Sequence, residues 1–95
     1  MTQKQIHSFL YYFSDQMMNL ILEVDDEDNL EYESCLEWLS EKYQYYKSYL
    51  VYFQVLYKDL KHPSKKIKDL LNYFMKEEMY FVLRIKQLEE EQINV

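Results

Sequence analysis

Apolar residues in the N-terminal segment, Ile6, Leu10, Phe13, Met17, Leu20 and Val24, recur at alternating intervals of four and three, the seam of an amphipathic helix. Thr2 with Gln5 three places on makes a capping-box start, so a helix is predicted over residues 3–23. The carboxylates of Asp25, Asp26, Glu27 and Asp28 oppose the negative end of the helix dipole and close it. Asp28 and Glu31 form a second capping box. Beyond it Tyr32, Leu36, Leu39, Tyr43, Tyr46, Leu50, Phe53, Tyr57 and Leu60 keep the same alternation with no Gly or Pro before Pro63. One helix is expected over residues 29–61, on the order of 45 Å long. The stretch 49–57 is rich in strand formers, but strict alternation is absent and the helical period runs through it. A third seam of Ile67, Leu71, Phe74, Phe81, Ile85 and Leu88 predicts a helix over residues 64–92, with Pro63 just inside its start.

These elements define an all-α fold, an elongated antiparallel three-helix bundle forming a single helical domain over residues 1–95. A break in the second helix near residues 45–49 would give a four-helix bundle instead. Short connections make neighbours antiparallel. Counted back from the turns, residue n of the first helix then faces about residue 53−n of the second, and facing residues of the second and third sum to about 125. On this register residues 1–50 with 77–95 form the three-helix part, and residues 51–76 project beyond the first helix as a basic hairpin.

Composition supports the helical reading by what it lacks. The chain has no Gly, one Pro and one Cys. Without Gly, tight hairpins and phosphate-cradling loops lose their usual backbone, which excludes Rossmann-type sites and P-loops. One cysteine makes no internal disulfide, and no apolar run reaches half of a typical span by much, so a cytoplasmic, non-membrane protein is expected. Lys far outnumbers Arg, and Tyr, Phe, Ile, Asn, Lys and Met dominate, the signature of an AT-rich genome and of an origin in a bacterium, a phage or another mobile element. In size and helicity the chain is similar to small bacteriocin-immunity proteins and phage-encoded anti-defence inhibitors, although no motif carries that likeness.

The net charge of −6 conceals a polarity, with −9 over residues 1–41, +6 over 42–88 and −3 at Glu89, Glu90 and Glu91. The acidic face comprises Asp25, Asp26, Glu27, Asp28, Glu33, Glu37 and Glu41. It reads as a solvated loop with capping carboxylates, or as a surface that imitates nucleic-acid phosphates and so binds a basic partner. A calcium loop beginning at Asp25 fails, because Leu30 and Leu36 stand where Gly and Glu are needed. The basic tip, Lys58, Lys61, Lys65, Lys66 and Lys68, reads as a solubilising turn, an acidic-protein contact or a nucleic-acid-backbone contact.

Tyrosine gives large contact area at low entropic cost. Two strips off the seams are therefore candidate partner-binding surfaces: Tyr45, Tyr49, Tyr52 and Leu56 on the second helix, and Tyr11, Met18 and Leu22 on the back of the first. No catalytic constellation, cofactor motif or metal-ligand spacing is present; His7, Tyr11 and Asp15 share a face without a nucleophile. The function expected is a small non-enzymatic module that binds and modulates or inhibits a protein partner. A homodimer is a further expectation, in which a second copy completes the uncovered hairpin to a four-helix bundle.

Overall fold

The computed structural model describes residues 1–26 and 35–93, with side chains through residue 91. Three helices, α1 (Gln3–Asp25), α2 (Leu36–Lys58) and α3 (Lys65–Ile93), pack antiparallel in sequence order into a rod of 52 × 23 × 20 Å. The fold is all-α, and among the described residues no strand forms. α2 passes unbroken through residues 45–49, so the four-helix alternative does not arise.

Local chemistry sets the helix ends. The Thr2 hydroxyl accepts from the Gln5 amide at 3.1 Å and the Gln5 side chain accepts from the Thr2 amide at 2.9 Å, the expected reciprocal cap. α2 starts at Leu36 rather than at residue 29, with Cys35 as a cap that makes no side-chain bond; the Asp28 and Glu31 box lies outside the described residues. α2 stops at Lys58, three residues early, because the amides of Asp59 and Leu60 turn to the carbonyls of Leu56 and Tyr57 at 3.0 and 3.1 Å. Such i−3 bonds tighten and close a last turn. The Ser64 hydroxyl accepts from the Ile67 amide at 3.2 Å, so Ser64 caps α3 and Pro63 precedes the cap instead of lying inside the helix. None of the described residues has a positive φ. That is how a chain without glycine makes its α2–α3 turn.

The core follows the seams with one displacement. α2 buries Leu39, Tyr46, Leu50 and Phe53, and α3 buries Ile67, Phe74 and Phe81. On α1 the buried line is Ile6, Leu10, Ser14, Met17, Ile21 and Val24. Ser14 and Ile21 replace Phe13 and Leu20, which sit half-buried at the edge facing α2. A straight helix drifts against a strict seven-residue repeat, and a small residue at 14 fits where α1 meets both neighbours.

The α2–α3 register agrees with expectation: Tyr43 meets Phe81 at 6.0 Å and Phe53 meets Phe74 at 6.1 Å between ring centroids. The α1–α2 register does not. α1 ends two residues later and α2 begins seven later than expected, which slides the pairing by about nine positions. Glu23 pairs with Lys42 at 2.8 Å at one end. At the other, Gln3 clamps the α2–α3 turn: its amide nitrogen donates to the Asp59 carbonyl at 3.1 Å and its oxygen accepts from the Lys61 amide at 3.1 Å. α1 therefore reaches the tip of the rod. Residues 51–76 are covered by its first half and do not project as a hairpin. The reason for a second copy to complete that hairpin goes with it.

Candidate functional site

α2 is gripped on two sides, so its apolar surface is wider than one seam. Helical spacing places Tyr45, Tyr49, Tyr52 and Leu56 on the side of α2 that turns toward α1. From α1 the matching positions are Phe9, Tyr12 and Phe13. Phe13 is the hub: its ring lies 6.2 Å from Phe9, 5.6 Å from Tyr12, 6.0 Å from Tyr49 and 5.8 Å from Tyr52. Tyr49 and Leu56 are half-buried against the core. The outer rings stay open, with Phe9 44%, Tyr12 51%, Tyr45 52% and Tyr52 58% exposed. Phe9, Tyr12 and Tyr52 thus each pack one side against Phe13 while the rest of the ring meets solvent.

Phe9 and Tyr12 were not singled out from the sequence, although Phe9, Tyr12 and Phe13 share an i, i+3, i+4 pattern that signals one helix edge. At the acidic end the same face continues to Trp38, where the Lys42 ammonium lies 5.6 Å from the ring centroid while pairing with Glu23 at 2.8 Å. Glu37 and Glu41 precede Tyr45 by two turns and one turn, and Asp59 follows Tyr52 by two; all three are exposed.

The second strip lies on another side. Tyr11, Met18 and Leu22 face the α1–α3 groove. Tyr11 lies under the Lys66 ammonium at 5.3 Å, Met18 packs against the core, and Leu22 is open. A shallow cavity of about 280 Å³ near the end of α1 is lined there by Ile21, Val24, Tyr80 and Arg84 among others, with Asp25 and Glu77 beside the Arg. The two strips are therefore separate surfaces and cannot serve one flat partner.

The charged groups sort by end. Lys58, Lys61, Lys65, Lys66 and Lys68 are all exposed at the turn, where α1 also delivers Lys4. Asp25, Asp26, Glu37 and Glu41 are exposed at the other end, joined by Glu89, Glu90 and Glu91 of α3. Glu27, Asp28 and Glu33 lie outside the described residues.

Three tyrosines of α2 and α3 are raised above their ordinary value. Burial pushes the Tyr46 phenol well above its ordinary value, with the Glu77 carboxylate adding to the effect. Tyr43 is raised by burial and then by Glu78, which its hydroxyl contacts at 3.4 Å; Tyr73 is raised by burial and then by Glu77. These phenols hold their protons and are poor acids. The His7 ring bonds its own helix at the Gln3 carbonyl, 2.8 Å away. Cys35 is a free, exposed thiol. Among the described residues no cluster of His, Cys, Asp or Glu is arranged to hold a metal, and no helix is long and apolar enough to cross a membrane. No family model, curated protein or solved structure matches the chain.

Proposed function

We propose that the chain is a non-enzymatic protein-binding module that engages a protein partner through the aromatic face between α1 and α2. The observation that carries this reading is the ring cluster around Phe13, half-exposed and already packed. Rings held in place lose little entropy on binding, and tyrosine and phenylalanine are enriched where interfaces bury most energy. α1 and α2, 23 residues each and so about 35 Å long, line this face side by side. Binding there modulates or inhibits the partner, in the cytoplasm of a bacterium with an AT-rich genome, the gene having come from a phage or another mobile element.

A second reading has one observation in its favour. The clustering of Lys58, Lys61, Lys65, Lys66 and Lys68 at one end, with Lys4 brought beside them, suits contact with nucleic-acid phosphates. A gel shift at low salt that vanishes on charge reversal at Lys61, Lys65 and Lys66 supports it, and absence of any shift removes it.

The binding face is tested by photocrosslinking in cells that naturally express the chain. A benzophenone amino acid replaces Tyr52, Phe9 or, as a control on the solvent side of α3, Asn72. Crosslinks to one protein species from positions 52 and 9 and none from 72 are expected. Crosslinks from 72 alone, or equally from all three, contradict the assignment.

A further inference from the structure

We infer that the segment bound on this face is a cationic amphipathic helix of the partner protein, laid in the α1–α2 groove with its basic side chains over the tyrosine rings. The inference rests on the α1–α2 face being the binding face and adds the chemistry of what binds.

The chain's own cations display the mode of contact. Lys42 is held between a ring and a carboxylate, 5.6 Å from the Trp38 centroid and 2.8 Å from Glu23. Lys66 lies 5.3 Å over the Tyr11 ring on the other side of α1. The open part of the α1–α2 face repeats the same pairing of ring and carboxylate without the cation. Glu41 stands one turn from Tyr45, with Glu37 one turn beyond it, and Asp59 lies at the far end of the same side of α2. Among the described residues, Glu37, Glu41 and Asp59 have no basic side chain within ion-pair distance. A ring and a carboxylate together favour an ammonium or guanidinium more than either does alone.

Charge also decides against the other occupants. Lys42, the base of α2 on this face, is already paired with Glu23; Lys47 and Lys58 turn away from α1 by helical spacing, and the remaining bases belong to the tip or to α3. A second copy docked parallel on this face about a two-fold axis would bring carboxylates against carboxylates, with only Lys42, already paired to Glu23, among them. A nucleic acid would be repelled for the same reason. The α1–α3 side carries no such preference, since Lys66, Glu77, Arg84 and Asp25 mix both signs there. Shape selects a helix, because the groove between two antiparallel helices accepts a third through side chains at i, i+3, i+4 and i+7. The complex would then be a four-helix bundle whose fourth member comes from the partner.

The test uses the full chain and three Trp-free 18-residue peptides: an amphipathic Leu/Arg helix, the same peptide with every Arg changed to Glu, and a scrambled Leu/Arg sequence that forms no amphipathic face. Trp38 fluorescence and amide chemical shifts follow the titrations. The Leu/Arg helix is expected to bind saturably, with shifts confined to α1 and α2 residues of the aromatic face, and at least tenfold more tightly than either control. The Glu37→Lys/Glu41→Lys and Tyr45→Ser/Tyr52→Ser variants, checked for unchanged melting, should each weaken it about tenfold. Equal binding of the Glu peptide or the scrambled peptide, shifts centred on α3, or no effect of the tyrosine changes overturns the cationic-helix assignment. Should position 52 crosslink in cells to a partner segment that carries no basic residue, the binding face stands and the cationic helix falls.

Discussion

The Tyr46 hydroxyl donates to the Phe74 carbonyl at 2.7 Å, a polar bond made inside the apolar contact between α2 and α3. Tyr46 is fully buried, so its hydroxyl needs a partner, and the carbonyl of a facing helix supplies one without breaking that helix. The bond fixes how far α2 can slide or roll against α3. Through α2 it fixes where Tyr45 and Tyr49 point on the opposite side.

Tyr46→Phe removes the hydroxyl and keeps the ring. The expected cost is about 1 kcal/mol, since the Phe74 carbonyl remains within its own helix, and a thermal melt should fall by about 4–8 °C. An unchanged melting temperature would mean that the bond adds nothing to the packing around it.

Alkaline stability carries the mark of the same residue. The folded Tyr46 phenol is raised above its ordinary value of 10.0, by burial first and by Glu77 second. A raised folded value makes the contribution complete below the unfolded value and lost as pH rises above it. Denaturant midpoints should therefore hold up to about pH 10 and fall beyond it. The fall should be shallower in Tyr46→Phe, where Tyr43 and Tyr73 alone contribute; identical slopes in the two proteins would contradict this.

Gln3 ties the start of α1 to the turn between α2 and α3. Gln3→Ala should cost about 1 kcal/mol and should speed amide exchange at Lys61, whose donor loses its acceptor. Lys61 exchanging at the wild-type rate would show that α1 does not hold the tip.

Coverage of the hairpin by α1, together with a face whose exposed carboxylates find no bases of its own, predicts no strong self-association. Sedimentation equilibrium at about 100 μM should give the mass of one chain. A stable dimer there would favour a second copy over a different partner.

The number, type and order of the helices were legible in the alternation of apolar residues, as was the α2–α3 register, because the turn around Pro63 is short and marked by Ser64. The α1–α2 register was not. It depended on where α2 begins, and the carboxylates from Asp25 onward serve a helix start as well as a connection. From that one displacement came the projecting hairpin, which Gln3 contradicts. The aromatic face was half legible. Tyr45, Tyr49 and Tyr52 stood out as a strip off the seam. Phe13 was absorbed into the core line, because a strict alternation prefers a phenylalanine at 13 to a serine at 14. Phe9 and Tyr12 gain their meaning only once α1 is set beside residues 49–52.

The most direct measurement is hydroxyl-radical footprinting of the chain in complex with the partner isolated from its own cells. Side-chain reactivity at Phe9, Tyr12, Tyr45 and Tyr52 should fall severalfold on binding, while exposed Met79, Tyr80 and Leu83 of α3 keep their free-state reactivity. Protection of the α3 residues with the four rings left reactive would contradict the assignment of the α1–α2 face.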